Sequence, residues 1–285
     1  MRNNQDRLTA PPASADPPIQ QVQQAQQPEE SLQFVTPTEF VELPSKGKFY
    51  PPGHPLHNVE TLEIRHMTAK DEDILTSRSL LKKGIAIDRF LQNVIVERNI
   101  RVEDLLIGDK NAIIIASRIS GYGARYDASI TCPSCVSSVE FSFDLNQCEV
   151  ADSSVHQQHG IDLTDDNTFI IHLERSNLDV EVRLMTSRDE AALLQLAERR
   201  RKKKLPESNL TDQFRRIIVS VNGNDNPNYV ESFIQNMPAR DSRSLRTTYE
   251  SIIPNIDMTH DFICSECGFD GEVSVPFGAN FFWPK

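Results

Sequence analysis

The sequence predicts an α+β fold in which helical segments lie beside short strands and are tied together at one metal-binding ribbon. Three observations carry that expectation. Two Cys-x-x-Cys pairs, Cys132-Pro-Ser-Cys135 and Cys264-Ser-Glu-Cys267, each follow a short apolar segment (128–130; 262–263) and precede an alternating one (139–143; 272–275). That is the pattern of a tight turn pointing two sulfurs inward between two strands, and a tetrahedral cation needs two such turns. Leu62-Glu-Ile-Arg-His-Met-Thr-Ala-Lys-Asp-Glu72 aligns without gaps with Val180-Glu-Val-Arg-Leu-Met-Thr-Ser-Arg-Asp-Glu190, six of the eleven positions being identical. After each of these segments the apolar residues recur at helical spacing until the cysteine pair is reached.

Together these readings describe a duplicated unit in the order strand, helices, knuckle, strand, whose two copies share one zinc ion. From Arg65 to Cys132 is 67 residues and from Arg183 to Cys264 is 81, so the second copy carries about 14 more in its helical part. Three segments follow: a tail over 1–33, a first unit over 34–150 and a second over 151–285.

Residues 1–33 hold Pro11-Pro12, Pro17-Pro18 and a glutamine-rich run from Gln20 to Gln27. Such a segment has almost nothing to bury, so it reads as a disordered tail dispensable for folding. The arm that follows, Leu43-Pro-Ser-Lys-Gly-Lys-Phe-Tyr50, lacks the frame of a phosphate loop and reads as a punctuated turn. Its aromatic rings, Phe49 and Tyr50, either plug the core or present apolar anchors to a partner. Thr68 and Thr186 are expected N-caps, with acidic residues in the first turns that follow. Helices are expected over 69–82, 85–98 and 109–120, the last passing through the core because Ala112-Ile-Ile-Ile-Ala116 is apolar on all sides. In the second unit, His156–Asp166 reads as loop, 168–174 and 178–184 as strands, and 188–204, 209–221 and 227–252 as helices, the last broken by Pro238.

Cys132, Cys135, Cys264 and Cys267 are the candidate metal ligands. Four thiolates fill a tetrahedral ion and leave no position for substrate or water, so the metal, zinc, is expected to be structural; four thiolates can also hold iron. Cys148 is left over. His156 and His159 have ligand-like spacing but no acidic partner beside them, and His260 is expected to pack beside the ribbon. The six cations Arg199-Arg-Arg-Lys-Lys-Lys204 suit a solvated helix end, where the dipole favours positive charge, or an acidic partner. No nucleophile, base and orienting acid occur in a supporting context, so the chain is not expected to be an enzyme.

A net charge of −11 argues against a generic nucleic-acid binder. No apolar run reaches membrane-spanning length and the N-terminus has no apolar signal core, so cytosolic synthesis is expected.

The ordered set Leu43-Pro-Ser-Lys-Gly-x-Phe49-Tyr50, Ile64-Arg-x-Met-Thr68, Glu72-x-Ile74-Leu75, Gly84-x-Ala-Ile-Asp88, Leu105-Leu-x-Gly-Asp109, Tyr122-Gly123 and the first knuckle resembles the baseplate protein family of T-even-type contractile-tailed bacteriophages over about residues 38–145. The resemblance implies a component of the central baseplate hub, or a factor that helps the hub assemble. Its partners would be other hub or tail proteins, met in the host cytoplasm during assembly or in the virion tail. No active-site residues come with it. A zinc-ribbon adaptor that binds nucleic acid through Arg199–Lys204 is the alternative.

Overall fold

β1 (Thr38–Glu42) and β2 (Thr61–Arg65) pair antiparallel with Thr38 opposite Arg65. Leu62 and Ile64 alternate inward from β2. The arm between the strands folds back into the protein: Leu43, Phe49, Tyr50 and Leu56 are all buried. Gly47, at φ +69°, lies so close to the returning chain that a Cβ would stand 2.3 Å from the Val59 nitrogen. Phe49 and Tyr50 are therefore core residues, so of the two readings of the arm the core holds and the partner surface does not. The computed structural model describes residues 35–151, 161–277 and 281–282, and Thr36–Lys285 forms one compact unit. The expected tail, 1–33, and both His156 and His159 lie outside the described residues.

The expected helix over 69–82 is two helices, α1 (Ala69–Thr76) and α2 (Arg78–Lys83). Ser77 between them is extended, and the Thr76 hydroxyl donates back to the Glu72 carbonyl at 2.8 Å. Adjacent hydroxyl residues compete with the helix backbone in this way. Gly84, left-handed at φ 68°, ends α2. α3 (Ala86–Val94) stops four residues short of expectation, because Ile95 turns extended and bridges to Ile64 on β2. α4 (Ile107–Tyr122) runs through the core, as Ile113, Ile114 and Ile115 are buried.

β3 (Arg125–Thr131) and β4 (Ser138–Asp144) form the first hairpin, and the short β5 (Glu149–Val150) follows. Next come β6 (Asp162–Leu163), β7 (Phe169–Leu173) and β8 (Leu178–Val182), then α5 (Ser187–Lys202) and α6 (Asn209–Ile217). α6 was expected to reach 221. Instead Ile218–Val221 is a strand, β9, on the edge of an antiparallel sheet ordered β6-β7-β8-β9. Ile218-Val-Ser-Val221 fits a pleated surface well, and β8 offers an open edge that outweighs the weak helical preference of these residues. α7 (Pro227–Asn236) and α8 (Ala239–Ile252) are separated at Pro238 as expected. β10 (Ile256–Asp257) pairs with β5, and β11 (Thr259–Ile263) with β12 (Asp270–Ser274) makes the second hairpin.

The two aligned segments adopt the same local structure. Arg65 forms a two-pronged ion pair with Asp71 at 2.7 and 2.8 Å, and Arg183 forms one with Asp189 at 2.8 and 2.8 Å. Asp71 also accepts the amide and the hydroxyl of the N-cap residue Thr68, as Asp189 does from Thr186. The strand is thus locked to the helix that follows it. Beside them the Leu106–Thr186 bridge and the Ser187 amide donating to the Leu105 carbonyl at 2.8 Å join the segments leading into α4 and α5.

Burial alone would raise the Asp71 carboxyl, but hydrogen bonds from Arg65, Thr68 and Asn93 outweigh it and hold the pKa at about 2. A depressed pKa makes the stabilisation complete above pH about 4, the ordinary carboxylate value, and lost as pH falls through the folded value. Arg65→Ala, which leaves Asp71 buried without its counter-charge, is expected to cost about 3 kcal/mol at neutral pH. Denaturant titration should show that difference shrinking as the pH is lowered from about 4 towards 2.

A candidate metal centre at the tips of two hairpins

The hairpins β3–β4 and β11–β12 each alternate apolar and polar residues, so each has one face to bury. Those faces meet through aromatic side chains: Phe141 lies edge-on to Phe262 at 5.5 Å between ring centres, and Phe143 to His260 at 5.2 Å. His260 does pack beside the ribbon, donating from Nε2 to the Asp144 carbonyl at 2.9 Å. Aligning the hairpins in this way brings their turns together.

The turns have the same construction. The amide of the first cysteine donates across the turn, Cys132 to Ser137 at 2.9 Å and Cys264 to Phe269 at 2.8 Å. The residue after the second cysteine donates back to the first cysteine's carbonyl, Val136 at 3.0 Å and Gly268 at 2.9 Å. That residue is left-handed in both, Val136 at φ 60° and Gly268 at φ 70°. Glycine takes this conformation freely, whereas a β-branched residue is strained by it. Sequence reasoning missed this shared position because a Cys-x-x-Cys-Gly pattern is legible only in the second cysteine pair.

All four sulfurs lie within 4.8 Å of one another, with Cys132 Sγ 3.8 Å from Cys267 Sγ and Cys135 Sγ 3.9 Å from Cys264 Sγ. A tetrahedral ion with zinc–sulfur bonds of about 2.3 Å requires sulfur–sulfur edges of about 3.8 Å. The closest pairs meet that spacing across the two hairpins, so the four cysteines lie close enough to hold one metal ion. Cys132 and Cys264 are buried while Cys135 and Cys267 reach the surface. The hydroxyl and amide of Ser137 hold the Cys135 thiol down to about 6. The Phe269 amide acts the same way on Cys267, but desolvation and the neighbouring thiols push that group up to about 11. One thiolate in the cluster therefore makes the next harder to form, a conflict that a divalent cation removes.

Cys148 stands apart, half-buried, its thiol pushed up to about 11 chiefly by burial. The basic run closes α5. Arg200 pairs with Asp212 at 3.2 Å and Lys202 with Glu198 at 3.7 Å. Arg199, Arg201, Lys203 and Lys204 are exposed and make no ion pair among the described residues. No helix among the described residues is long and apolar enough to cross a membrane.

A family model described as T4 bacteriophage base plate protein matches residues 36–283. The chain belongs to this family. The match extends well beyond the segment that carried the sequence resemblance and includes the second aligned segment and the second hairpin. No curated protein and no solved structure matches the chain. As a baseplate protein it is a part of phage tail biology, and other tail or baseplate proteins are its natural partners.

Cys132→Ser is expected to lower metal content and melting temperature together, because metal affinity at such a site is folding energy, while Cys148→Ser should leave both near wild type. Elemental analysis of protein purified without chelator that found neither zinc nor iron near one equivalent would remove the site. Val136→Gly is expected to raise stability by about 1 kcal/mol by relieving the left-handed strain, measurable as a shift of the denaturant midpoint.

Proposed function

We propose that this baseplate protein is a non-enzymatic component of the central hub, or a factor that assembles it, acting through contacts with hub and tail proteins. The family match over residues 36–283 carries this reading. The four cysteines support the structural half of it: four thiolates complete the coordination of zinc, so the ion's role is to fasten the hairpins. Cys135 and Cys264 lie 129 residues apart in the chain, so the ion cross-links two distant parts of the fold. The matching ion pairs, caps and knuckles support a duplicated unit whose copies contribute two ligands each. The protein would meet its partners in the host cytoplasm as tails assemble.

Deleting the gene from the phage is expected to leave heads intact and stop tails at the baseplate, as seen by electron microscopy of lysates. Normal tails from the deletion would overturn the assembly role.

A further inference from the structure

Helix α5 is buried in its first turn and half-buried over 190–193. Ser187 and Asp189 are its buried residues, and from Leu194 onward most side chains face solvent. Leu194 is 61 % exposed and is a shared wall of two cavities. One, of about 280 Å³, is floored by Phe281 and Phe282 and rimmed by the partly exposed Ile87 and Phe277. The other, of about 230 Å³, runs towards Arg200 and Arg201. Beyond it stand Lys202, Lys203, Lys204 and then Leu205, which is 52 % exposed.

Helix stability does not account for this arrangement. The helix dipole favours cations only within the last turn, and like charges three and four residues apart repel. Arg200 and Lys202 have ion-pair partners, but the four exposed cations without one, Arg199, Arg201, Lys203 and Lys204, exceed what one helix end can use. An exposed leucine between an aromatic-floored cavity and a cationic tip adds nothing to the isolated chain, but both are features of a binding surface.

We propose that this face of α5 docks an acidic segment of another baseplate or tail protein. An apolar side chain of that segment enters the cavity beside Leu194, and its carboxylates meet Arg201–Lys204. The rise from Leu194 to the end of α5 at Lys202 is about 12 Å, the length of an eight-residue helix or a four-residue extended strand. Charge selects a short acidic segment over nucleic acid. With the six cations set against the net −11, the remaining chain carries −17. A duplex presents one phosphate charge per about 1.7 Å and would run from the small basic tip onto a repelling surface. A short segment stays within the tip, and the cavity offers it an apolar anchor that a phosphate backbone cannot use. The inference rests on the baseplate assembly role and names the kind of partner within it.

The test introduces Lys202→Glu, Lys203→Glu and Lys204→Glu together into the phage, with Leu194→Ser as an independent variant. Both purified proteins are expected to keep the wild-type melting temperature, since these side chains are exposed. Both phages are expected to stop tails at the baseplate. Revertants of the charge variant are expected to carry Asp or Glu changed to Lys or Arg in another tail protein. Normal tails from both variants, while the gene deletion still blocks assembly, would overturn this inference and leave the assembly role standing. Normal tails from the deletion would overturn both. Revertants confined to this chain would also overturn it. So would duplex DNA retained in a gel by the wild-type protein and released by the charge variant, which would assign the tip to nucleic acid.

Discussion

Five aspartates, each almost entirely out of solvent, hold the chain to its helices. Asp71, Asp109, Asp189, Asp212 and Asp241 are all buried, and each sits in the first turn of α1, α4, α5, α6 or α8. A buried carboxylate is costly unless hydrogen bonds and opposite charge surround it. The positive end of a helix supplies part of that, and the incoming chain supplies the rest. Asp109 accepts from the Ser45 amide and hydroxyl at 2.9 and 2.6 Å and from the Tyr50 hydroxyl at 2.7 Å, which fixes the arm against α4. Burial pushes its pKa up even so. Asp241 accepts the amides of Arg175 and Ser176 and so fixes the turn between β7 and β8. Asp212 ties the end of α5 to α6 through Arg200, whereas removing any of the other four carboxylates would loosen a strand, a turn or the arm from its helix.

This anchoring is what allows the two hairpins to meet. β3–β4 follows directly from α4, and β11–β12 follows from α8 by way of the short pairing of β10 with β5. With α4 and α8 fixed at their first turns, the hairpins project where their aromatic faces can stack. The cysteine turns then come within metal-binding distance. The cluster is a consequence of helix placement, and a bound ion would in turn fasten that placement by closing a long loop.

For a baseplate protein this division of labour is sensible. The interior is fixed by buried carboxylates, so the surface can be given to partners without endangering the fold. Arg118 follows the same logic: though buried, it spends its guanidinium on the carbonyls of Phe281, Gly123 and Arg125 and lies over the Tyr122 ring at 5.2 Å. A charge satisfied by backbone holds the C-terminal aromatics in place and is unavailable to a ligand. Arg199, Arg201, Lys203 and Lys204 at the end of α5, by contrast, are exposed and make no ion pair among the described residues.

By itself the sequence determined the four cysteines as one group, the α+β class, the caps at Thr68 and Thr186, the passage of α4 through the core and the break at Pro238. Each of these is written in local chemistry: thiol spacing, side-chain period, a hydroxyl before an acidic turn, a missing amide. Only the tertiary structure decided where α3 and α6 stop. Ile95 and Ile218 leave their helices because a strand edge from elsewhere in the chain offers hydrogen bonds that helical periodicity cannot foresee. The same holds for Phe49 and Tyr50, whose composition suits an interface as well as a core; what chose the core was Asp109, 59 residues from Tyr50, waiting at the start of α4 to accept its hydroxyl. The buried aspartates stayed hidden for a related reason. An acidic residue in a first helical turn looks the same in sequence whether it faces water or an arriving chain, and only the fold brings that chain to it.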